Sequence, residues 1–62
     1  MTFCIKEKTM GKYYIRVEQD KNGRITMCVC YYGKTIYENT YTSIQNATRA
    51  FNRMVNKYER RF

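Results

Sequence analysis

The chain has no histidine, no proline, three glycines and five acidic side chains among its 62 residues. Each scarcity narrows what it can be. Without histidine, the most common general base is missing. The carboxylates are Glu7, Glu18, Asp20, Glu38 and Glu59, with Asp20 in an expected turn and Glu59 near a helix end. No two of them share an evident acid–base site, so an enzyme is not expected. Three cysteines are an odd count and do not make a disulfide framework. Cys28 and Cys30 form a Cys-x-Cys pair to which only Cys4 could add a third thiolate, one short of a zinc site. A disulfide between neighbours on one side of a strand would strain the pleat. The pair reads as small polarizable filling on a sheet face, with no metal and no cofactor. No apolar run is long enough to cross a bilayer. The residues after Met1 lack the basic start and long apolar centre of a signal peptide, so the expectation is a reducing cytoplasmic setting without a membrane partner.

What is present is short-period order. There is no internal repeat, low-complexity segment or linker, and 62 residues read as one small domain. Gly11, Gly23 and Gly33 are spaced by 12 and 10 residues, the rhythm of turns between short strands. Residues 1–11 read as an extended N-terminal arm or an extra edge strand, with Phe3 and Ile5 on one side. Residues 12–41 read as a β-meander. In its first strand Tyr13, Ile15 and Val17 alternate with Tyr14, Arg16 and Glu18. Asn22-Gly23 marks a hairpin. The second strand, 24–32, puts Ile25, Met27, Val29 and Tyr31 on its apolar side. Gly33-Lys34 makes the next turn into a strand over 35–41. A bulge at Gly33 would turn Tyr37 and Tyr41 inward, and a plain two-residue turn would bury Ile36 instead. The tyrosines offer more burial and favour the bulge.

Residues 42–62 read as one helix. Thr42 stands three positions before Gln45, the spacing of a capping box. Ile44, Ala47, Ala50, Phe51, Met54, Val55, Tyr58 and Phe62 fall on one stripe. The expected fold class is α+β: a three-stranded antiparallel sheet with one C-terminal helix on one face, in the order β-β-β-α. The expected core is Ile15, Val17, Ile25, Met27, Val29, Ile44, Ala47, Phe51, Met54 and Val55. One helix covers one sheet face and leaves the other open.

The charge is the functional signal. Twelve Lys and Arg against five Asp and Glu give +7, and so large an excess on a short chain favours polyanionic partners. The alternation sets Tyr14, Arg16, Arg24, Thr26 and Tyr32 on the open face, with Lys34 at the turn beside them. Aromatic rings interleaved with guanidinium groups suit stacking on bases, phosphate contacts and protein anchoring alike. The helix adds a second basic row, Arg49, Arg53, Lys57 and Arg60 or Arg61, balanced only by Glu59; it reads either as phosphate contacts or as a solvated face.

Gly11-Lys12-Tyr13-Tyr14-Ile15-Arg16-Val17, the Asn22-Gly23-Arg24 turn, and Tyr41-Thr42-Ser43 with Ala47 before a helix resemble the N-terminal DNA-binding domain of tyrosine-recombinase integrases of phages and transposons. The resemblance spans roughly Ile5 to Lys57. It implies a three-stranded sheet that enters the major groove through Tyr14, Arg16, Arg24, Thr26 and Tyr32. An integrase continues into a catalytic domain, so a chain of this length would be an accessory or regulatory binder.

The first reading is therefore a small, non-catalytic, basic nucleic-acid-binding protein of phage or mobile-element type, with DNA favoured over RNA. The alternative is a small phage-encoded, anti-CRISPR-like inhibitor that binds a host nucleic-acid-processing protein. Homodimerisation through the open face or an edge strand is a third reading.

Overall fold

Alternating apolar residues separated by turn signals produce a meander, and the following amphipathic segment folds back over it. A computed structural model describes residues 2–60. Four strands, β1 (Thr2–Met10), β2 (Tyr13–Asp20), β3 (Ile25–Tyr31) and β4 (Lys34–Tyr41), are followed by a helix, α1 (Ile44–Glu59). The strands pair antiparallel in the order β1-β2-β3-β4. The α+β class and the single C-terminal helix are as expected. The strand count is corrected from three to four, because the N-terminal segment pairs with β2 along its length.

Each edge strand carries one register shift, and each shift has an isoleucine as the extra residue. In β1 the shift falls between Cys4 and Lys6 and leaves Ile5 over; in β4 it lies opposite Val29 and Cys30 and leaves Ile36 over. A bulge inverts which side of the sheet each later residue faces. Beyond Ile5, Lys6, Lys8 and Met10 therefore share the helix side with Val17, Ile15 and Tyr13. Met10 enters the core, which strict alternation from Phe3 does not anticipate, and Phe3 stays 62% exposed. Beyond Ile36, Tyr37 and Tyr41 turn toward the helix and pack against the core, as expected, while Ile36 is left outside. The bulge itself is not at Gly33. Tyr31 pairs with Lys34 across a two-residue turn made of Tyr32 and Gly33, with φ of 52° and 82°. Two successive left-handed residues are the requirement of a type I′ hairpin, whose twist matches that of the strands. Bulges on both edges also interrupt the rows of unpaired backbone groups to which another strand could add.

The hairpin at Asn22-Gly23 has a longer loop than the one at Tyr32-Gly33. Asp20 N donates to Arg24 O at 2.9 Å and Gly23 N to Asp20 O at 3.0 Å, which makes a three-residue loop ending in Gly23 at φ 86°. The Asp20 carboxylate holds the loop by accepting from Asn22 N and Arg24 N, each at 2.9 Å. An Asx side chain replaces backbone partners that a tighter turn would supply.

The helix begins one residue later than the Thr42 box predicts. Ser43 is the N-cap, extended at φ −142° and ψ 150°, and its hydroxyl accepts from Asn46 N at 3.1 Å. Ala47, Ala50, Phe51, Val55 and Tyr58 are buried against Ile15, Val17, Ile25, Met27 and Val29. Two alanines on this stripe bring the helix close to the sheet. Two expected core positions are corrected. Ile44 lies at the rim of the stripe and is 48% exposed, and Met54 is only half-buried. Phe62 and Arg61, included in the expected helix, lie outside the described residues. At the far end of the helix Tyr58 meets Tyr13 with ring centroids 4.6 Å apart, and Tyr13 meets Tyr31 at 4.8 Å. Tilted ring pairs of this kind add to area burial where a short chain has few aliphatic side chains to spend.

Candidate nucleic-acid interface

The register separates the charges by sheet face. Glu7, Arg16, Cys28 and Glu38 stand in one cross-strand row on the face away from the helix, and Glu18, Thr26 and Thr40 form the next. Glu7, Glu18 and Glu38 thus share that face with one strand cation, Arg16, and Asp20 follows in the same alternation at the end of β2. The cation is engaged: Arg16 Nε lies 2.8 Å from Glu18 Oε1, and Glu18 holds the guanidinium more firmly charged than usual. The contact is close but poorly aligned with the N–H, so it is an ion pair rather than a directed hydrogen bond. Tyr14 lies on this face too, its hydroxyl donating to Glu7 Oε2 at 3.4 Å; burial and the Glu7 charge raise its pKa. Cys4 Sγ donates to the same Glu7 oxygen at 3.0 Å, which raises the thiol pKa.

The positive charge lies on the other side. On the β1 flank of α1, Lys6 Nζ sits 5.9 Å from the Phe51 ring centroid, and Lys8 is 3.9 Å from Glu59. Glu59, the helix's one acid, is therefore directed away from the opposite flank. There Arg49, Arg53 and Lys57 repeat every four residues, about 6 Å apart along the helix axis. Arg49 and Arg53 have no carboxylate partner among the described residues.

This flank overlooks β4. Tyr41, Asn46, Arg49, Asn52 and Arg53 line a cleft of about 670 Å³. A second cleft of about 670 Å³ adjoins it at the hairpin end and is lined by Asp20, Asn22, Gly23, Arg24, Thr40, Tyr41 and Thr42. Tyr41 belongs to both. Its hydroxyl and that of Tyr37 each lie near Asn39 Nδ2, at 3.5 and 3.4 Å. Burial, and then the neighbouring Tyr37 phenol, push the Tyr41 pKa up. The result is a half-buried aromatic with Arg24 on one side and the Arg49–Arg53 pair on the other. The Asp20 carboxylate beside Arg24 is already occupied by two loop amides.

The residues singled out from sequence are thus dispersed. Tyr14, Arg16 and Thr26 share the uncovered face with Glu7, Glu18 and Glu38. Arg24 is at one end of the sheet. Tyr32 and Lys34 are at the other, where the Tyr32 ring is 4.7 Å from that of Tyr31 and 5.2 Å from Lys12 Nζ. Arg49, Arg53 and Lys57 remain together, and the adjoining clefts bring Arg24 toward them. Sequence reasoning passed over Tyr41, Asn46 and Asn52. The position of Asn46 and Asn52 on the basic side of the helical stripe was a signal for those two; for Tyr41 the bulge had to be located first.

No protein-family model, curated protein or solved structure matches this chain. On its fold it is a small basic α+β domain, a four-stranded antiparallel meander with one helix across it. Among the described residues no helix is long and apolar enough to cross a membrane, and no cluster of three potential metal ligands occurs.

Proposed function

We propose that the protein is a small, non-catalytic nucleic-acid-binding module whose contact surface is the α1–β4 side. The observation that carries this reading is the separation of charge. Carboxylates collect on the uncovered sheet face, while Arg49 and Arg53 line a cleft with no acid to neutralise them. Guanidinium groups left without a carboxylate partner fork readily onto phosphate oxygens. The uncovered face, with Glu7, Glu18 and Glu38 around Arg16, repels a polyanion more than it attracts one. The integrase-like use of a sheet face in the major groove is therefore less well supported than contact through the helix flank. Anisotropy titration of a labelled oligonucleotide tests the reading. Binding at low salt should weaken steeply as salt rises, and the Arg49→Gln/Arg53→Gln double variant should flatten the dependence on log salt by about two units. Absence of binding to DNA and RNA at low salt removes the proposal.

A second reading, an inhibitor that docks on a nucleic-acid-processing protein, draws on the other surface. Three carboxylates and Tyr14 on an uncovered sheet suit the basic surface with which such a protein holds its own substrate. Pull-down with and without nuclease separates the two: stoichiometric capture of a protein that survives nuclease favours the inhibitor.

A further inference from the structure

We infer that Tyr41 is a stacking platform for an unpaired base, and that the α1–β4 side therefore selects single-stranded over double-stranded nucleic acid. The inference rests on the nucleic-acid reading and specifies its ligand. Tyr41 is the one residue common to both clefts. Cations lie beyond it in each direction: Arg24 in one cleft, beside an Asp20 carboxylate held by two loop amides, and Arg49 with Arg53 in the other. A strand crossing this surface would meet cation, ring and cations in turn, which matches the alternation of phosphate, base and phosphate along a single chain. The concavity beside Tyr41 is open to solvent. It admits a splayed base, whereas the bases of a duplex are stacked inside and cannot reach a half-buried ring. Asn46 and Asn52 add amide donors and acceptors at the edge of the same cleft, where an unpaired base presents its hydrogen-bonding edge.

The test compares oligothymidylate with a duplex of equal length at one salt concentration, using the full chain. The single strand is expected to bind about tenfold tighter. Tyr41→Phe keeps that preference and Tyr41→Leu abolishes it, while Arg49→Gln/Arg53→Gln weakens both forms alike. Duplex binding as tight as the single strand, or a preference that persists in Tyr41→Leu, overturns the inference and leaves nucleic-acid binding standing. No binding of either form removes both. Should Tyr41→Leu fail to fold, the wild-type protein decides the question by NMR. Oligothymidylate should move the Tyr41 ring resonances upfield through the ring current of a stacked base; unmoved resonances in the bound complex overturn the stack.

Discussion

Arg16 Nε lies 2.8 Å from Glu18 Oε1, two residues along β2 on the same uncovered face. That one pair separates net charge from usable charge. Arg16→Gln and Arg49→Gln each remove one positive charge from the chain. If total charge governed binding to nucleic acid, the two would weaken it equally. Because Arg16 faces Glu18 while Arg49 lines an acid-free cleft, Arg16→Gln is expected to leave affinity within about twofold. Arg49→Gln is expected to lower the salt slope by about one. Parallel titrations over a salt series check the difference.

The helix cap gives a prediction at single-residue resolution. Ser43 Oγ accepts from Asn46 N, so Ser43→Ala should cost about 1 kcal/mol in urea unfolding. Thr42 precedes the cap, and Thr42→Ala should cost no more than a few tenths of that. The reverse order would place the cap at the Thr42–Gln45 spacing instead.

The Tyr32-Gly33 turn contains a non-glycine residue at φ 52°. Asn tolerates that backbone region far better than Tyr. Tyr32→Asn is expected to stabilise the fold by up to about 1 kcal/mol, even though it gives up the ring contacts with Tyr31 and Lys12. Gly33→Ala should destabilise by about 1 kcal/mol. A Cβ at Gly33 would meet nothing within 4 Å, so that cost is conformational rather than steric. Shifts of the urea midpoint at constant slope report both.

Burial ranks two apolar residues that the sequence treats alike. Met27 is fully buried and Ile44 is about half exposed. Met27→Ala should cost about 2–5 kcal/mol, a large share of the few kcal/mol available to so short a chain. Ile44→Ala should cost well under 1 kcal/mol. Thermal unfolding followed by circular dichroism distinguishes them.

The thiols carry a pH prediction. The hydrogen bond to Glu7 raises the pKa of Cys4, and burial followed by the neighbouring Cys30 raises that of Cys28. A raised pKa means less thiolate at a given pH. Peptide-mapped alkylation of both residues should therefore run slower than that of a free thiol in mildly alkaline buffer and reach its plateau at higher pH. The sign for stability follows. A folded pKa above the unfolded value favours the protonated form in the fold, so the Cys28 contribution is present at neutral pH and is lost as pH rises through the folded value.

Much of the fold follows from local pattern. Alternation in β2 and β3, the turn glycines and the stripe from Ala47 to Tyr58 specify a meander and a helix, because each signal acts over a few neighbouring residues. The same locality limits what such patterns decide at the edges. Which face Met10, Tyr37 and Tyr41 occupy depends on one extra residue in β1 and one in β4. A bulge has no period of its own; it is placed by what the strand meets across the sheet and under the helix.

The candidate surface divides in the same way. The sequence alone establishes the excess of seven positive charges. It groups Arg49, Arg53 and Lys57, since a spacing of four makes neighbours on any helix. The alternation along β2 puts Arg16 beside Glu18. Only the tertiary structure decides that Glu59 reaches across to Lys8 and that Tyr41 comes between Arg24 and Arg49. The physical reason is that such an ion pair or cleft is a relation between segments. Its members are set by register and helix placement, which the buried side chains determine together and no single segment of the chain determines alone.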